Sequence, residues 1–170
     1  MISQNELLEQ IKRLVFATKT IVSCPVVPME IPGITAATEL DAGDTLGTVM
    51  TLKVPKSGII YSATFFDLDD DGIQVDLEIF KRKIADVAFD AAYAPSDAEM
   101  LHFLTEIAFF SFDDHINSQT SRVKGLNEAY TVPDGLFYIQ GVTRGLSNIA
   151  ANAMPRFQLQ ILSFDPDYEG

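Results

Sequence analysis

The sequence predicts an all-β protein, an antiparallel jelly-roll-like β-sandwich with a short N-terminal helix. Apolar segments of strand length follow one another, with turn sequences between them such as DAGD (41–44), PKSG (55–58) and PDG (133–135). The closing segment, 155–164, alternates apolar and polar residues, which is the period of a half-buried strand. Strands do not alternate with long helices in the pattern, so a parallel sheet is not expected.

The turn signals divide the chain from residue 34 onward into about eight predicted strands. These segments are rich in β-branched and aromatic residues, which fit a pleated and half-buried surface. Their number and spacing are typical of a sandwich or jelly roll. Seven of these segments are ITAATEL (34–40), TLGTVMTLKV (45–54), IIYSATFF (59–66), IQVDLEIF (73–80), LTEIAFFSF (104–112), LFYIQGVTRG (136–145) and PRFQLQILSF (155–164).

The first segment of the chain is predicted to form the short helix. Ser3 and Glu6 have the spacing of a capping box, and five apolar residues follow at helical spacing. This apolar stripe either packs on the chain's own domain or docks on another subunit. The stripe consists of Leu7, Leu8, Ile11, Leu14 and Val15.

A proline-rich run separates this helix from the strands. Pro25, Pro28 and Pro32 favour an extended, non-helical backbone, which suits a connector. We therefore divide the chain into an N-terminal helix and arm, residues 1–33, and a β-sandwich domain, residues 34–170.

Two intervals interrupt the strand pattern. The interval 83–103 contains a helix start, Ser-Asp-Ala-Glu at 96–99, and one short helix is predicted there. The interval 113–135 is polar and is predicted to be a long loop. Long loops on a rigid sandwich are where recognition residues concentrate.

Composition and charge argue against several classes of protein. The 170 residues include 24 acidic and 12 basic side chains, a net charge of −12. This charge repels phosphate backbones and anionic lipids, so neither nucleic acid nor a membrane is expected as a partner. No apolar run reaches the roughly 18 residues of a membrane span. The N-terminus lacks the basic-then-apolar pattern of a signal peptide, which predicts assembly in the cytoplasm.

The stretch DLDDDGIQVDLE (67–78) matches the calcium-binding loop of an EF-hand. An EF-hand requires a helix on each side of that loop, whereas the flanking segments here have strand patterns. We therefore interpret LDDDG (68–72) as the tip of a β-hairpin. The residues that match the calcium pattern are Asp67, Asp69, Asp71, Gly72 and Glu78.

A looser cation site at the same place remains an alternative. Asp67, Asp69 and Asp71, with Asp70 and a neighbouring chain, form a candidate weak cation site. No other cofactor is expected.

The remaining candidates for chemistry do not form a recognisable motif. His102 and His115 lie outside the short spacings of paired metal ligands, although Asp113 and Asp114 are near the second of them. Cys24 is the only cysteine, and we interpret it as a small buried apolar residue. No nucleophile elbow is present. The sequence therefore predicts that the protein is not an enzyme.

Three segments resemble small virion structural proteins of tailed bacteriophages, of the capsid decoration or cement type. They are LGTVMTLKVPKSGIIYSATFFDLDDDGIQVDLEIF (46–80), PDGLFYIQGVTRG (133–145) and PRFQLQIL (155–162). The resemblance implies a jelly-roll-like subunit on the capsid exterior that clamps neighbouring capsomers. It implies the major capsid protein and the chain itself, as a dimer or trimer, as partners. It carries over no functional residue.

The alternative is a binding module of the same virion. A head-fibre or tail-tip domain would recognise a host-surface glycan, with a cation at the aspartates of 67–71. Both hypotheses place the protein in a virion assembled in the host cytoplasm.

Overall fold

The computed structural model describes residues 20–29, 31, 37–151, 154–165 and 168, and it confirms the predicted all-β class. These residues form twelve strands and one single-turn helix. No helix in this part of the chain is long and apolar enough to cross a membrane. The elements are β1 Thr20–Ser23, β2 Val27–Pro28, β3 Thr38–Leu40, β4 Thr45–Lys53, β5 Ser57–Asp67, β6 Val75–Phe80, α1 Asp97–Met100, β7 Phe103–Phe109, β8 Asp113–Asp114, β9 Gln119–Thr131, β10 Leu136–Thr143, β11 Ser147–Ile149 and β12 Arg156–Ser163.

The strands form two main sheets and a small ribbon, and every strand pair is antiparallel. The six-stranded sheet has the order β1-β12-β5-β9-β8, with β2 also paired to β12. The four-stranded sheet has the order β4-β10-β6-β7, and β3 pairs with β11. Because β4 and β5, β5 and β6, and β9 and β10 fall in different sheets, the chain passes repeatedly between the two sheets in a sandwich-like arrangement.

Aromatic side chains from both main sheets meet between them. The ring centroids of Phe65 on β5 and Phe109 on β7 are 5.6 Å apart. Tyr130 on β9 packs edge-on against Phe137 on β10 at 4.6 Å. Each pair joins the six-stranded sheet to the four-stranded sheet, and the three phenylalanines are fully buried. Full burial of one such side chain contributes about 1.5–3 kcal/mol, so these contacts hold the sheets together.

The alternation predicted for the closing strand is confirmed. Phe157, Leu159 and Ile161 are fully buried, whereas Gln158 and Gln160 are only half-buried. The apolar residues of β12 face the core, and the glutamines face outward from the six-stranded sheet.

The connection between β6 and β7, residues 81–102, crosses the outer face of the four-stranded sheet, and we call it the strap. Backbone hydrogen bonds attach the middle of the strap to the start of β4. The Thr45 N–H donates to the Ala91 carbonyl at 3.0 Å. The Tyr93 N–H donates to the Gly43 carbonyl at 2.9 Å. Because the core covers one face of β6 and the strap covers the other, all six residues of β6 are buried.

The predicted helix start is confirmed inside the strap. Ser96 is the N-cap of α1 and forms a capping box with Glu99. The Glu99 carboxylate also accepts a hydrogen bond from the Ala85 N–H at 2.7 Å. Hydrogen bonds from Ala85 and then from Ser96 lower the pKa of Glu99 to about 2. The Glu99 carboxylate therefore links Ala85, near the start of the strap, to Ser96 at the beginning of α1.

The β-hairpin predicted at LDDDG (68–72) is wrong in its pairing. β5 pairs with β12 and β9, whereas β6 pairs with β10 and β7, so the connection is a corner between the two sheets. The turn itself is confirmed, because Asp70 and Gly72 have positive φ angles of 59° and 69°. Strands flank the loop, so it is not an EF-hand. Turn residues reverse the chain, but burial across a whole sheet decides where the next strand goes.

The polar interval 113–135, predicted as a loop, instead contains β8 and the 13-residue strand β9. β9 pairs with β5 along almost its whole length. Its strand period is hidden because most of its side chains are half-buried or exposed. Its ladder is also interrupted near Gly125 and Asn127, which have positive φ angles of 70° and 54°.

The predicted N-terminal helix lies outside the described residues, so its docking role stays a prediction. The boundary proposed at residue 33 also stays a prediction. β1 and β2 belong to the segment assigned to the arm, and both pair with β12 in the six-stranded sheet. The stripe residues outside the described ranges are Leu7, Leu8, Ile11, Leu14 and Val15.

Phe109→Ala is expected to lower the free energy of unfolding by about 3–5 kcal/mol, because it empties a fully buried contact between the sheets. The neighbouring Phe110 is 58% exposed, so Phe110→Ala is a matched control expected to change stability by about 0.5 kcal/mol or less. Urea denaturation of both variants measures the difference. Equal losses would contradict the placement of Phe109 in the core.

Candidate functional site

The aspartate at the end of β5 organises the corner between the two sheets. Asp67 is 1% exposed, and its carboxylate accepts hydrogen bonds from the N–H groups of Asp69 at 3.3 Å and Gly72 at 2.8 Å. Such side-chain-to-backbone bonds stabilise tight turns. Asp67 therefore acts within the fold, facing the backbone of its own loop.

The next aspartates connect the corner to other elements. Asp70 accepts a hydrogen bond from the Gln119 side-chain amide at 2.6 Å, and Asp71 accepts one from the Ala150 N–H at 3.1 Å. Burial raises the pKa of Asp71, and repulsion from the neighbouring aspartates adds to this, against the hydrogen bond from Ala150. We call the aspartate-rich connection between β5 and β6, residues 67–72, the acidic corner. Its hydrogen bonds join it to β9 and to the segment that follows β11.

The candidate cation site at Asp67, Asp69 and Asp71 stays a prediction. Their carboxylates accept hydrogen bonds from separate parts of the chain, including the Met154 N–H on Asp69 at 3.4 Å. Within the ranges that the structure describes, no group of three or more His, Cys, Asp or Glu side chains could hold a metal ion. Glu78, the last residue of the calcium pattern, lies on β6 away from the corner.

A different acidic group surrounds Arg144 on the outer face of the four-stranded sheet. Asp76 and Glu78 occupy alternate positions of β6, and Glu106 on β7 lies directly opposite Glu78. The Arg144 guanidinium donates to Asp76 and, at 3.2 Å, to Glu106, and it lies 3.6 Å from Glu78. We call these four residues the Arg144 cluster.

The strap covers two members of the Arg144 cluster, Asp76 and Glu78. Asp76 is 2% exposed and Glu78 is 8% exposed, and Tyr93 of the strap neighbours Glu78. One guanidinium faces three carboxylates, so the cluster has an excess of negative charge in a poorly hydrated place. Burial of a charge without full compensation is costly, so this excess weakens the attachment of the strap.

The electrostatic environment of the cluster shifts two pKa values. Burial raises the pKa of Glu78, and the charges of Glu106 and Asp76 add to it, while Tyr93 and Arg144 oppose the shift. Partial burial alone would lower the pKa of Arg144, but the hydrogen bond and the charge of Asp76, with the other two carboxylates, raise it. The guanidinium is therefore a fixed charge, and the raised pKa of Glu78 favours its protonated form.

The other residues singled out in the sequence do not come together. His102 precedes β7 and His115 follows β8, so they lie at opposite ends of the sandwich. Cys24 is fully buried, and burial raises the pKa of its thiol to about 12, against a hydrogen bond from Tyr168. The interpretation of Cys24 as a buried apolar residue is confirmed, because a covered and protonated thiol is a poor nucleophile.

Five large apolar side chains are exposed at the end of the sandwich that carries the acidic corner, and we call them the apolar rim. They lie on separate connections, all at the end where β5, β7 and β10 finish and β6, β9 and β12 begin. Clustered exposed apolar groups mark surfaces that contact other molecules. The exposures are Leu68 45%, Phe110 58%, Ile116 85%, Leu146 75% and Met154 42%.

Comparison with known proteins does not indicate a function for this chain. No protein-family model matches the chain, and no curated protein matches it. The apolar rim and the Arg144 cluster are therefore the main features from which a role can be argued.

The sequence patterns do not predict the Arg144 cluster. Asp76 and Glu78 occupy alternate positions of the predicted strand 73–80, and nothing in that segment alone pairs them with a distant arginine. Arg144 lies at the end of the predicted strand 136–145, more than 60 residues beyond Asp76 and Glu78. An arginine at the end of one predicted strand, with acidic residues at alternate positions of two others, is the signal that could have found it.

Glu78→Gln is expected to stabilise the protein more at pH 7.5 than at pH 4. The folded-state pKa of Glu78 is raised above its ordinary value of 4.5, so its contribution to stability is present below that value and is lost as pH rises through the folded-state pKa. Glutamine removes this loss while keeping a similar shape.

Thermal unfolding of the wild type and of Glu78→Gln across pH 4 to 7.5 measures the effect. Glu39→Gln, at an exposed position of β3, controls for the loss of one carboxylate. Parallel pH profiles of thermal stability for the wild type and Glu78→Gln would contradict a raised pKa of Glu78 in the folded state.

Proposed function

We propose that the sandwich is a jelly roll. If β1, β4, β5, β6, β7, β9, β10 and β12 are counted as strands 1 to 8, the sheet orders become 1-8-3-6 and 2-7-4-5. The pairs 1–8, 2–7, 3–6 and 4–5 are all antiparallel. These are the pairs of one long two-stranded ribbon wound into two sheets, which supports the jelly-roll assignment.

We infer that the protein is a structural component of a bacteriophage virion, a decoration or cement subunit of the capsid. The apolar rim is the observation that carries this proposal. Five exposed apolar side chains at one end of a folded domain favour a protein–protein contact over catalysis. Jelly rolls recur in viral capsid proteins, and the segment 46–80 resembles virion proteins of this type.

The proposed partners are the major capsid protein and a second or third copy of the chain. A net charge of −12 suits the capsid exterior, because it keeps the protein away from packaged DNA. The N-terminal stripe is proposed as a second contact with the shell. A stable contact of this kind buries on the order of 1,000 Å² or more.

A glycan-binding head-fibre or tail-tip module is the second candidate, and one observation favours it. The outer face of the six-stranded sheet carries neighbouring polar side chains with hydrogen-bonding capacity. Gln160 on β12 is half-buried and is held in place by the buried Ser62 on β5, whose hydroxyl donates to it at 2.7 Å. Polar groups fixed in this way suit the hydroxyls of a sugar.

The double variant Ile116→Asp with Leu146→Asp is expected to weaken capsid binding at least tenfold, since it places two charges in the apolar rim. Leu101→Asp is the matched control, because Leu101 is 80% exposed but lies at the opposite end of the sandwich. Co-sedimentation with capsids assembled without this protein measures binding, and light scattering measures the oligomeric state. Unchanged binding by the double variant would remove the rim from the interface.

Deletion of residues 1–19 tests the second contact, because it leaves all the described strands in place. The shortened chain is expected to keep the strand signal in circular dichroism and to lose binding to the capsid. Retained binding would rule out the docking role of the N-terminal stripe. A full-length chain that is monomeric and does not bind capsids would favour the glycan-binding alternative. A glycan screen would then test that alternative directly.

A further inference from the structure

A shallow cavity of about 270 Å³ lies at the β9 margin of the six-stranded sheet. At about 30 Å³ per water molecule, it has room for roughly nine waters, the size of a single sugar ring or a small anion. Two cationic side chains, two hydroxyls and one carboxylate line it. The lining residues are Ser111, Asp113, Thr120, Arg122 and Lys124.

The strand geometry places these groups together. Thr120, Arg122 and Lys124 occupy alternate positions of β9, so their side chains project from the same face of the sheet. Asp113 on β8 pairs directly with Thr120, which brings its carboxylate to that face as well. Val123, between the two cations, is half-buried and packs against the core.

Neither Arg122 nor Lys124 forms an ion pair with any residue in the described part of the chain. The Arg122 Nε donates to the Thr64 hydroxyl at 3.1 Å, and Thr64 is almost fully buried. This bond orients the guanidinium, whose terminal nitrogens are left for a further acceptor.

Arg122 and Lys124 lie side by side on one face of β9. Among the described residues only Lys83 and Arg144 have an ion pair, so the feature that distinguishes Arg122 and Lys124 is that both line the same cavity. Arg122 and Lys124 side by side therefore form a local site for an oxyanion, for which a guanidinium has matching geometry. Asp113 would repel a bare anion but can accept hydrogen bonds from hydroxyl groups next to it.

We propose that this cavity binds an acidic saccharide unit, with its carboxylate or sulfate group on Arg122 and Lys124. Ring hydroxyls of the saccharide donate to Asp113 and exchange hydrogen bonds with Ser111 and Thr120. The cavity adjoins the apolar rim at Ser111, which follows Phe110, but it uses different side chains. The site does not depend on the capsid role, so the two proposals can fail independently.

Titration of the full chain with glucuronate, followed by NMR shifts of backbone amides at low ionic strength, tests the proposal. Saturable shifts around residues 111–124 are expected with glucuronate, and none with glucose, which lacks the anionic group. Arg122→Gln and Lys124→Gln are each expected to weaken glucuronate binding about tenfold or more, since each removes a charge-assisted hydrogen bond. Arg156→Gln is the matched control, because Arg156 is an exposed cation on β12 outside the cavity.

A fourth variant separates a saccharide site from a site for any oxyanion. Asp113→Asn is expected to weaken glucuronate binding, because it removes the acceptor for ring hydroxyls, and to strengthen binding of inorganic sulfate, because it removes a repulsion. Tighter binding of both ligands by Asp113→Asn would overturn the saccharide assignment. Equal loss in Arg156→Gln and Arg122→Gln, or no saturable shift with glucuronate, would overturn the site itself.

Discussion

The packing of aromatic rings between the two main sheets is the contact on which the rest of the structure depends. Phe65 and Tyr130 come from one sheet, and Phe109 and Phe137 from the other. Each sheet has one apolar face that must be removed from water, and these rings supply the largest buried areas. Once the sheets are joined in this way, the corners between strands are fixed, and with them the apolar rim.

The outer faces of the two sheets have different surroundings. The strap lies on the outer face of the four-stranded sheet and covers Asp76 and Glu78 of the Arg144 cluster, in which three carboxylates share one guanidinium. Covered charges of this kind are costly, and they give the strap a protonation-sensitive attachment. The six-stranded sheet presents polar side chains and the cations Arg122 and Lys124. The surfaces suited to recognition are therefore this sheet face and the apolar rim, because neither lies beneath the strap.

Local patterns predicted the elements well where burial alternates strictly. β12 was predicted from its alternation of apolar residues and glutamines, and α1 from the capping box of Ser96 and Glu99. β9 was missed because a strand at the margin of a sheet is not required to alternate, and because Gly125 and Asn127 interrupt its ladder. The Arg144 cluster was missed because its members are distant in sequence and meet only through the pairing of β6 with β7 and β10.

The sequence by itself determined the all-β class, the position of most strands, the turn at 68–72 and the acidic character of the surface. These properties depend on side-chain period, turn residues and charge, which are local or additive. Only the tertiary structure decided that β5 and β6 lie in different sheets, that Asp76 and Glu78 are covered, and that Arg122 and Lys124 line one cavity. Strand order and burial depend on how all the apolar faces are satisfied at once, and no single segment contains that information.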